Sequence, residues 1–581
     1  MRAFHLSVLL VVLFSVVPYL NIFGNDFTYD DHVFIGENLA IRSLGNVPSF
    51  FSETVYNLYR PLRTVLYSVT YAVWNGNVFG YHLNSVVWHV LSSVLVFLIF
   101  RKVADGFVPV VGALVFAVHP VHSERVAFIT GGFDLLGIFL VLLAFLLYIN
   151  YSSSRRRRFL VFSLVSFAAA LFSSEEALVF PLLVVLYEFV FGDKALGIRR
   201  FVSSGFFSVV LAVFVAFRLF VVHLAARASV YPGGSLFSTL LTMLKVFVYY
   251  AWLVFVPYPL TLYRDVSVAS SFFEPFVVVS FLLILSVGFA AFLLRRHHPV
   301  VSFSVGWFFI ALLPFSNVLP LQILMADRYL YLASAGAALL LAYGIFRIPA
   351  RSVSVLLSAV IIFSFLFLAV DRNGDWVDDV SLWEQTAKTS PHNSVVFANL
   401  GFAYEQGGRL ADAKSSLLRS ISLNPLNDKA HYNLGIVYMR QKDYVSSARE
   451  FMLAINVSPD YAQAYDSLGM AYYYSYLESY DSLLLSAAEE AMSKAISVSP
   501  SYFKPYSDLG IVKGQRGSFN ESIALLHKSL ALNPWNHEAY YNMGIIYEFL
   551  NRTEMAEASF LRAVALQPSS KLYRQRAAQY S

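Results

Sequence analysis

Apolar residues dominate this 581-residue chain from its start to about residue 370, in runs that short polar or charged segments separate. A run of about 20 apolar residues is long enough for an α-helix to cross the hydrocarbon core of a bilayer. The pattern therefore predicts about eleven membrane-spanning helices, the first of them an uncleaved span because no small-residue cleavage site follows it. Their predicted positions are 4–23, 82–100, 107–120, 133–151, 159–173, 175–191, 201–223, 276–294, 300–316, 329–346 and 354–370.

Basic residues cluster in the segments between the apolar runs, and such clusters are typical of cytoplasmic loops. With the N-terminus in the cytoplasm, all five clusters fall on the cytoplasmic side and the chain after the last span lies outside. The stretch Phe237–Val256 is predicted to be an interfacial or re-entrant helix in a long outside loop, His223–Pro275, because it carries Lys245 and ends near Pro257. The clusters are Arg101–Lys102, Arg155–Arg158, Lys194 with Arg199 and Arg200, Arg295–Arg296, and Arg347 with Arg351.

After residue 393 the apolar runs give way to a repeat. Glycines recur at intervals of 34, 34, 41 and 34 residues, and prolines recur at the same intervals behind them. A period of 34 with Gly, Tyr, Ala and Pro at fixed offsets is the tetratricopeptide pattern of paired helices. We therefore predict five repeats, with seven extra residues in the third and a capping helix at the end. The glycines are Gly401, Gly435, Gly469, Gly510 and Gly544, and the prolines are Pro425, Pro459, Pro500, Pro534 and Pro568.

The predicted fold class is all-α, with three parts: a polytopic membrane helical bundle at 1–370, a linker at 371–393, and a tetratricopeptide α-solenoid at 394–581. The linker carries Trp376 and Trp383, which are predicted to anchor it at the membrane interface. The repeats contain packing residues and no catalytic pattern. Their concave face could bind an extended acceptor polypeptide, or the solenoid could be a rigid spacer.

Composition agrees with a membrane protein, since 57% of residues are hydrophobic, 14% are charged and the mean hydropathy is +0.60. The net charge of +5 comes from the short clusters between runs, which indicates topology signals and no nucleic-acid partner. Cysteine is absent, which excludes disulfides, a thiolate nucleophile and a Cys metal site.

Asp30 and Asp31 lie just beyond the first span, on the predicted outside face. Adjacent carboxylates near an apolar surface raise each other's pKa, and one of them can act as a general base. An Asx turn or a helix cap is the alternative explanation for such a pair.

Other polar residues gather beside the spans on the same predicted side. A charged residue or histidine at that position is costly in lipid, so each is a functional candidate. His89 and Asp134 could instead be hydrogen-bond partners between helices. The candidates are Arg60, His82, His89, His119, His122, Glu124, Asp134, Glu176, Arg218, Asp327 and Arg328.

Several short motifs, in order along the chain, resemble a known family. They are Phe27-Thr-Tyr-Asp-Asp, Tyr59-Arg-Pro-Leu, Tyr81-His-x-Asn with His89, His119-Pro-Val-His-Ser-Glu, Asp327-Arg-Tyr-Leu-Tyr-Leu and the repeats. Together they resemble the transmembrane and tetratricopeptide repeat-containing O-mannosyltransferases, which are polytopic glycosyltransferases of the GT-C type. The resemblance implies a polyprenyl- or dolichyl-phosphate-sugar donor, most often of mannose, and a Ser or Thr hydroxyl acceptor. It also implies that Asp30 and Asp31 serve the acceptor.

Two motifs depart from the family pattern. The chain has Gly131-Gly132-Phe133-Asp134 where the family usually shows Gly-Arg-x-Asp, and Ser174-Glu175-Glu176 where it usually shows Ser-Lys-Glu. Each departure removes a cation that could face the lipid phosphate. Either the remaining arginines and nearby histidines stabilise that phosphate, or the donor differs from the usual one.

The mechanism that follows is a single inverting displacement. Asp30 or Asp31 accepts the hydroxyl proton, and Arg328 and Arg60, with His119 and His122, neutralise the leaving lipid phosphate. No cofactor is required, although the spacing leaves a divalent metal at Asp30, Asp31 and His122 open. Because the candidate residues lie outside, we expect activity on the extracytoplasmic side of a cell or endoplasmic reticulum membrane.

Three other functions stay open at this point. An enzyme of the same class could transfer a whole oligosaccharide or modify a glycan. A non-catalytic scaffold could use the membrane half only as an anchor, although one span suffices for anchoring. A transporter would need broken helices or a repeat among the spans, and the sequence has neither.

Overall fold

The computed structural model describes residues 2–54, 58–192, 197, 201–220, 222, 231–321 and 323–580. Throughout these residues the chain is helical and forms no β-strand. It divides into two compact units, Met1–Ser390 and Pro391–Ser581. The predicted basic cluster of Lys194, Arg199 and Arg200 and the predicted loop start at His223 lie outside the described residues.

The first unit contains fifteen α-helices within its described residues, several of them joined by 3-10 turns. They are α1 (Arg2–Val16), α2 (Pro61–Trp74), α3 (Val78–Val103), α4 (Val108–Ala117), α5 (Ser123–Val126), α6 (Ile129–Ser154), α7 (Arg157–Leu171), α8 (Phe180–Val190), α9 (Val202–Phe220), α10 (Leu236–Phe255), α11 (Pro275–Leu294), α12 (Pro299–Leu312), α13 (Leu330–Ile345), α14 (Arg351–Asn373) and α15 (Asp379–Thr389).

Each of the eleven predicted apolar runs contains one of these helices. Among the described residues, eight helical segments are long and apolar enough to cross a membrane, those of α1, α3, α6, α9, α10, α11, α13 and α14. The helices α4 and α12 are shorter apolar segments. The membrane half is therefore a bundle of many apolar helices, as the sequence predicts.

Helix α10 occupies the stretch that is predicted to be interfacial. It is 20 residues long and qualifies by length and composition as a span. Its Lys245 is not left in an apolar surround, because Nζ donates a hydrogen bond to the carbonyl of Ser267 and lies 4.0 Å from a carboxylate oxygen of Glu274. The position of α10 in the membrane stays a prediction.

Helix α2 is an element that the sequence pattern does not predict. It has Pro61 in its first turn, where a missing N–H costs nothing, and it mixes apolar with polar residues. The ring of Tyr67 stacks on Phe133 of α6, with centroids 4.3 Å apart. This packing brings the buried face of α2, including Arg63, against the start of α6.

Helices α3 and α6 approach closely at a glycine. A Cβ atom built on Gly132 would lie 1.8 Å from Oγ of Ser85 and 3.2 Å from its Cα. Small residues at such contacts let membrane helices pack backbone to backbone. The glycine at this position is therefore required by packing in this chain.

Residues 371–390, predicted as part of a linker, end α14 and form α15 within the first unit. Trp376 is fully buried and stacks on Phe128 with centroids 5.1 Å apart, and Trp383 is 3% exposed. The prediction that these two tryptophans anchor a linker at the membrane interface is wrong. They are core residues, because the segment folds back against the loop that follows α1.

The second unit is a series of five helical hairpins with a final helix. In each hairpin the repeat glycine faces the second helix; a Cβ on Gly435, for example, would lie 2.6 Å from the ring of Phe451. The third hairpin has helices of 18 and 17 residues, so the extra residues extend its helices. The helices are α16 (Ser394–Gln406), α17 (Leu410–Leu423), α18 (Asp428–Arg440), α19 (Tyr444–Val457), α20 (Ala462–Ser479), α21 (Ser482–Val498), α22 (Lys504–Gln515), α23 (Phe519–Leu532), α24 (His537–Phe549), α25 (Thr553–Leu566) and α26 (Lys571–Ala577).

Candidate functional site

A cavity of ≈ 340 Å³ lies in the first unit, between the loop after α1, the start of α2, the start of α6 and the segment that precedes α13. The predicted topology assigns all four of these segments to the outside face. The cavity combines charged groups with an apolar wall that includes Phe34, Phe315 and Leu321. The charged lining residues are Asp30, Arg60, Arg63, Arg125, Asp134, Glu176 and Arg328.

Asp134 is the centre of an ion-pair network at the cavity. Its carboxylate oxygens lie 2.6 and 2.7 Å from Nη1 of Arg60. Nη1 of Arg63 and Nη1 of Arg125 approach the same carboxylate to 3.2 and 3.1 Å. Three guanidinium groups from α2 and α5 therefore converge on one carboxylate near the start of α6.

Glu175 and Glu176 extend the network on the turn before α8. Glu175 accepts a hydrogen bond of 2.8 Å from Nε of Arg60 and lies 3.5 Å from Nη2 of Arg218. Glu176 is paired with Arg125. At the position where the family pattern has lysine, this chain thus has a carboxylate that pairs with two arginines.

Arg328 enters the cavity from the turn before α13. Its guanidinium is paired with Glu124, and its backbone N–H donates to the same carboxylate at 3.0 Å. Nε of Arg125 donates to the carbonyl of Arg328 at 3.0 Å. The two arginines are thereby held side by side on one wall.

Arg63 has an unused hydrogen-bond donor. The residue is 2% exposed, and its Nε has no hydrogen-bond partner within the described part of the chain. Its guanidinium lies 4.9 Å from the ring of Phe34 and 5.6 Å from the ring of Tyr67. Arg63 lines the cavity, and a guanidinium group at a cavity wall is suited to an anionic ligand.

The acidic pair is split by the fold. Asp30 lines the cavity, whereas Asp31 is fully buried and points away from it. The carboxylate of Asp31 accepts hydrogen bonds from the backbone N–H groups of Thr130 at 2.7 Å and Thr28 at 3.1 Å. Burial raises the pKa of Asp31 to about 7. Asp31 thus ties the turn to α6, and Asp30 is the member of the pair that a substrate can reach.

The same turn is held by α15. The carboxylate of Asp379 accepts a hydrogen bond from the backbone N–H of Tyr29 at 2.7 Å and lies 2.7 Å from Nε2 of His32. The hydrogen bond to Asp379 raises the pKa of His32. Asp30 therefore lies between two residues that one carboxylate restrains.

The four candidate histidines are buried beside the cavity and do not line it. Nε2 of His119 lies 2.9 Å from the carbonyl of Val254, and Nε2 of His122 lies 2.8 Å from Oγ of Ser334. The placement thus gives no support to His119 and His122 as phosphate ligands. His89 contacts the hydroxyl of Tyr331 at 2.8 Å, and His82 contacts the carbonyl of Asn25 at 3.1 Å.

Three further candidates, Glu124, Asp327 and Arg218, lie outside the cavity lining, and Glu124 contributes to it through its pair with Arg328. Asp327 accepts a hydrogen bond of 2.8 Å from the backbone N–H of Thr261 and lies 3.6 Å from a guanidinium nitrogen of Arg264. Arg218 reaches the network only through Glu175. No group of three His, Asp or Glu side chains suited to a metal ion occurs among the described residues. In particular, Asp30, Asp31 and His122 do not form such a group.

Arg63 and Arg125 are cavity residues that the sequence analysis did not single out as site residues. Both are charged residues next to apolar segments on the predicted outside face, which is the signal that could have identified them. Their convergence on Asp134 depends on helix packing, which a linear motif does not show.

The repeat region matches a known family. The tetratricopeptide-repeat family model matches residues 399–473 and again residues 537–570. Among solved structures, a thermophilic tetratricopeptide-repeat protein of Thermus thermophilus covers 32% of this chain with 98% of its own chain, at 22% identity and a TM-score of 0.30.

Two curated relatives each match about two thirds of the chain. Protein O-mannosyl-transferase F38B6.6 of Caenorhabditis elegans is 24% identical over 425 residues, which cover 67% of this chain and 59% of the relative. Protein O-mannosyl-transferase TMTC4 of Homo sapiens is 24% identical over 462 residues, which cover 66% and 61% respectively. The chain thus spans about three fifths of these relatives' length. The resemblance read from its motifs is confirmed, because the chain contains tetratricopeptide repeats and is similar, over about two thirds of its length, to curated proteins named protein O-mannosyl-transferase.

Proposed function

We propose that this chain is a membrane glycosyltransferase that moves a sugar, mannose by analogy with its named relatives, from a polyprenyl- or dolichyl-phosphate donor to Ser or Thr hydroxyls of proteins on the extracytoplasmic side. The observation that carries the proposal is the composition of the cavity. Asp30 lines the cavity together with four guanidinium groups, the ion-paired carboxylates Asp134 and Glu176, and an apolar wall. These are the groups that a hydroxyl acceptor, a phosphate and a lipid chain each require.

In the proposed reaction, Asp30 accepts the proton of the acceptor hydroxyl while its oxygen attacks the anomeric carbon of the sugar. The bond between that carbon and the phosphate oxygen breaks, and the electron pair leaves with the lipid phosphate. Arg63, Arg125 and Arg328 stabilise the negative charge that develops on the phosphate. A single displacement of this kind inverts the anomeric configuration.

A lipid-borne donor agrees with the surroundings of the cavity. Phe315, Leu321 and Ile323 line it on the side of the segment that precedes α13. The sequence has no glycine-rich loop of the kind that binds nucleotide phosphates. We therefore infer that the donor enters from the membrane and that its phosphate, not a nucleotide, is the leaving group.

The test is a reconstituted transfer reaction. The purified chain in lipid nanodiscs is mixed with radiolabelled polyprenyl-phosphate mannose and a Ser/Thr-rich peptide, and label in the peptide is measured. We expect transfer by the wild-type chain and none by Asp30→Asn, with both proteins equally monodisperse. Transfer that is unchanged in Asp30→Asn would remove this residue from catalysis, and no transfer from any lipid-phosphate sugar would favour the scaffold.

The proposed side of the membrane has a separate test. Because cysteine is absent, single cysteines at Ser153, Val268 and Val445 can be labelled with a membrane-impermeant thiol reagent. All three positions are exposed in the structure. We expect labelling of intact cells at positions 268 and 445 only. If neither is labelled, α10 crosses the membrane and the repeats lie inside.

A further inference from the structure

We propose that Asp379, the first residue of α15, is a positioning residue that sets the orientation of Asp30. This inference rests on the proposed role of Asp30 as the base. It assigns a catalytic contribution to a segment that the sequence presents as a connection between the membrane half and the repeats.

The carboxylate of Asp379 contacts one residue on each side of the acidic pair that contains Asp30. Oδ1 of Asp379 accepts the backbone N–H of Tyr29 at 2.7 Å, and Oδ2 lies 2.7 Å from Nε2 of His32. Residues 29 and 32 directly bracket the acidic pair. Loss of this carboxylate would release both flanks at once, because one residue provides both contacts.

The conformation of Tyr29 explains why the turn needs a clamp. Its φ is +52°, in the left-handed region that non-glycine residues rarely adopt. The hydrogen bond to its N–H favours this conformation. The side chain adds support, since the Tyr29 hydroxyl lies 3.1 Å from that of Tyr263 and its ring meets Trp383 edge-on at 5.5 Å.

Asp31 restrains the same turn from the other side, through the N–H of Thr130 on α6. Asp30 is therefore the one acidic residue of the turn that faces the cavity, between anchors on α6 and on α15. A side chain held in this way loses little orientational freedom when the acceptor binds. Displacement of such a base by about 1 Å can lower the rate by up to about 100-fold.

Helix α15 is itself fixed within the first unit. Asp378 caps its start by accepting the N–H of Ser381 at 2.7 Å. At its end, the hydroxyl of Thr389 donates to Oγ1 of Thr261 at 2.7 Å. The loop that contains Thr261 also contains Tyr263, which contacts Tyr29. The far end of α15 is thus tied to the loop that supports Tyr29, whereas the cap at Asp378 contributes to the stability of the helix and does not contact the turn around Asp30.

The test compares Asp379→Ala and Asp379→Asn with Asp378→Ala in the full chain, in the transfer assay described above. Asp378 is the matched control, because it is the adjacent aspartate and caps the same helix without contacting Tyr29 or His32. We expect Asp379→Ala to lower kcat about tenfold or more, with KM for donor and peptide changed less than about twofold. Asp379→Asn keeps one oxygen acceptor for Tyr29 and should recover part of the loss, whereas Asp378→Ala should lower thermal stability and leave kcat unchanged.

The outcomes separate this inference from the proposed function. If Asp30→Asn is inactive and Asp379→Ala has full kcat, the positioning role is refuted and Asp30 remains the base. If both substitutions at Asp379 raise KM and keep kcat, or if Asp378→Ala reduces kcat equally, α15 has only a structural role. If Asp30→Asn is active, the proposed base is wrong and the inference falls with it.

Discussion

Asp134 determines how much positive charge the cavity retains. One carboxylate faces Arg60, Arg63 and Arg125, and it cannot neutralise three guanidinium groups by itself. The neighbouring glutamates pair with the outer two, so Arg63 is the least compensated of the three. Among the described residues, Arg63 has Asp134 as its ion-pair partner and no glutamate, so its guanidinium is the best placed of the three to bind a phosphate.

The first prediction concerns this residue. We expect Arg63→Gln to raise KM for the lipid-phosphate sugar about tenfold, because a charge-assisted hydrogen bond to phosphate is lost. Initial rates at varied donor concentration measure the effect. Arg42→Gln, which removes an exposed cation from the preceding loop, should leave KM unchanged. A similar rise in both variants would indicate a general effect of surface charge and not a contact by Arg63.

The second prediction follows from the pKa of Asp31, which burial raises to about 7. The folded state therefore keeps this carboxyl protonated in a range where the unfolded state ionises it. The stabilisation that protonated Asp31 contributes is therefore lost as the pH rises from the pKa of this residue in the unfolded chain towards about 7. Above the pKa in the folded state the loss is complete. Between pH 5 and pH 8 the loss from this residue amounts to about 3 kcal/mol.

Asp31→Asn removes the titrating group and should remove this part of the pH dependence. It also costs a pH-independent amount, because an amide cannot accept hydrogen bonds from both Thr28 and Thr130 in the same way. Thermal unfolding in detergent at several pH values measures the difference between variant and wild type. The prediction is contradicted if the two melting temperatures change in parallel from pH 5 to pH 8.

At the residue scale, the sequence identified those site residues that belong to compact motifs. Asp30, Arg60 and Arg328, which belong to these motifs, line the cavity. The histidines belong to the same motifs and yet are buried in the helix packing, because residues that are close in sequence face different directions on a helix or in a turn. Motif membership therefore indicates proximity to a site and does not determine which side chains reach it.

At the scale of elements, the contact between α3 and α6 explains one departure from the family pattern. Position 132 faces Ser85 of α3 and not the cavity. An arginine there would have to displace α3, whereas Arg125 on α5 reaches Asp134 from another direction. Gly132 thus allows α3 and α6 to pack closely, while Arg125 provides a cation to Asp134.

The third prediction tests this packing. We expect Gly132→Ala to destabilise the membrane half by about 1–3 kcal/mol, because the added Cβ would lie 1.8 Å from Oγ of Ser85. Adding Ser85→Gly should restore part of the loss. Gly205→Ala on α9, where nothing lies within 4 Å, is the control and should be neutral or stabilising. Thermal melting of the three variants and the wild type in detergent gives the comparison, and an unaffected Gly132→Ala would mean that α3 and α6 can separate freely.

The elements that the sequence predicted are those with a strong period. The apolar runs of span length form helices in the structure. The segments marked by glycines 34 residues apart form helical hairpins. Helix α2 was missed because it has 14 residues and no continuous apolar run. The role of 371–390 was missed because its function comes from contacts with the loop after α1, nearly 350 residues away in sequence, as in the bond from Asp379 to Tyr29.

At the scale of the whole molecule, the two compact units separate two tasks. The first unit contains the charged cavity, and the second contains repeats of packing residues with polar side chains at a fixed register. Three such side chains, Asn399, Asn433 and Asn542, lie two residues before a repeat glycine. Their amides form no hydrogen bond among the described residues, whereas Asn427 caps α18 through the N–H of Ala430 at 3.0 Å.

The last prediction uses this contrast to test whether the repeats select the acceptor. Half-buried asparagines with unused amides can bind the backbone of an extended polypeptide whatever its sequence, so they suit a groove better than a spacer. We expect the triple substitution of Asn399, Asn433 and Asn542 by Ala to leave transfer to a short, concentrated Ser/Thr peptide intact. Transfer to a full-length acceptor protein should fall about tenfold, because the repeats no longer raise its local concentration.

Asn427→Ala is the matched control for that experiment. Loss of its helix cap should destabilise the repeats by about 1 kcal/mol and leave both transfer activities unchanged while the unit stays folded. If the triple variant loses both activities equally, the asparagines support the fold and the groove hypothesis fails. If it loses neither, the repeats are a spacer, and the choice of acceptor must depend on the cavity and the loops around Asp30.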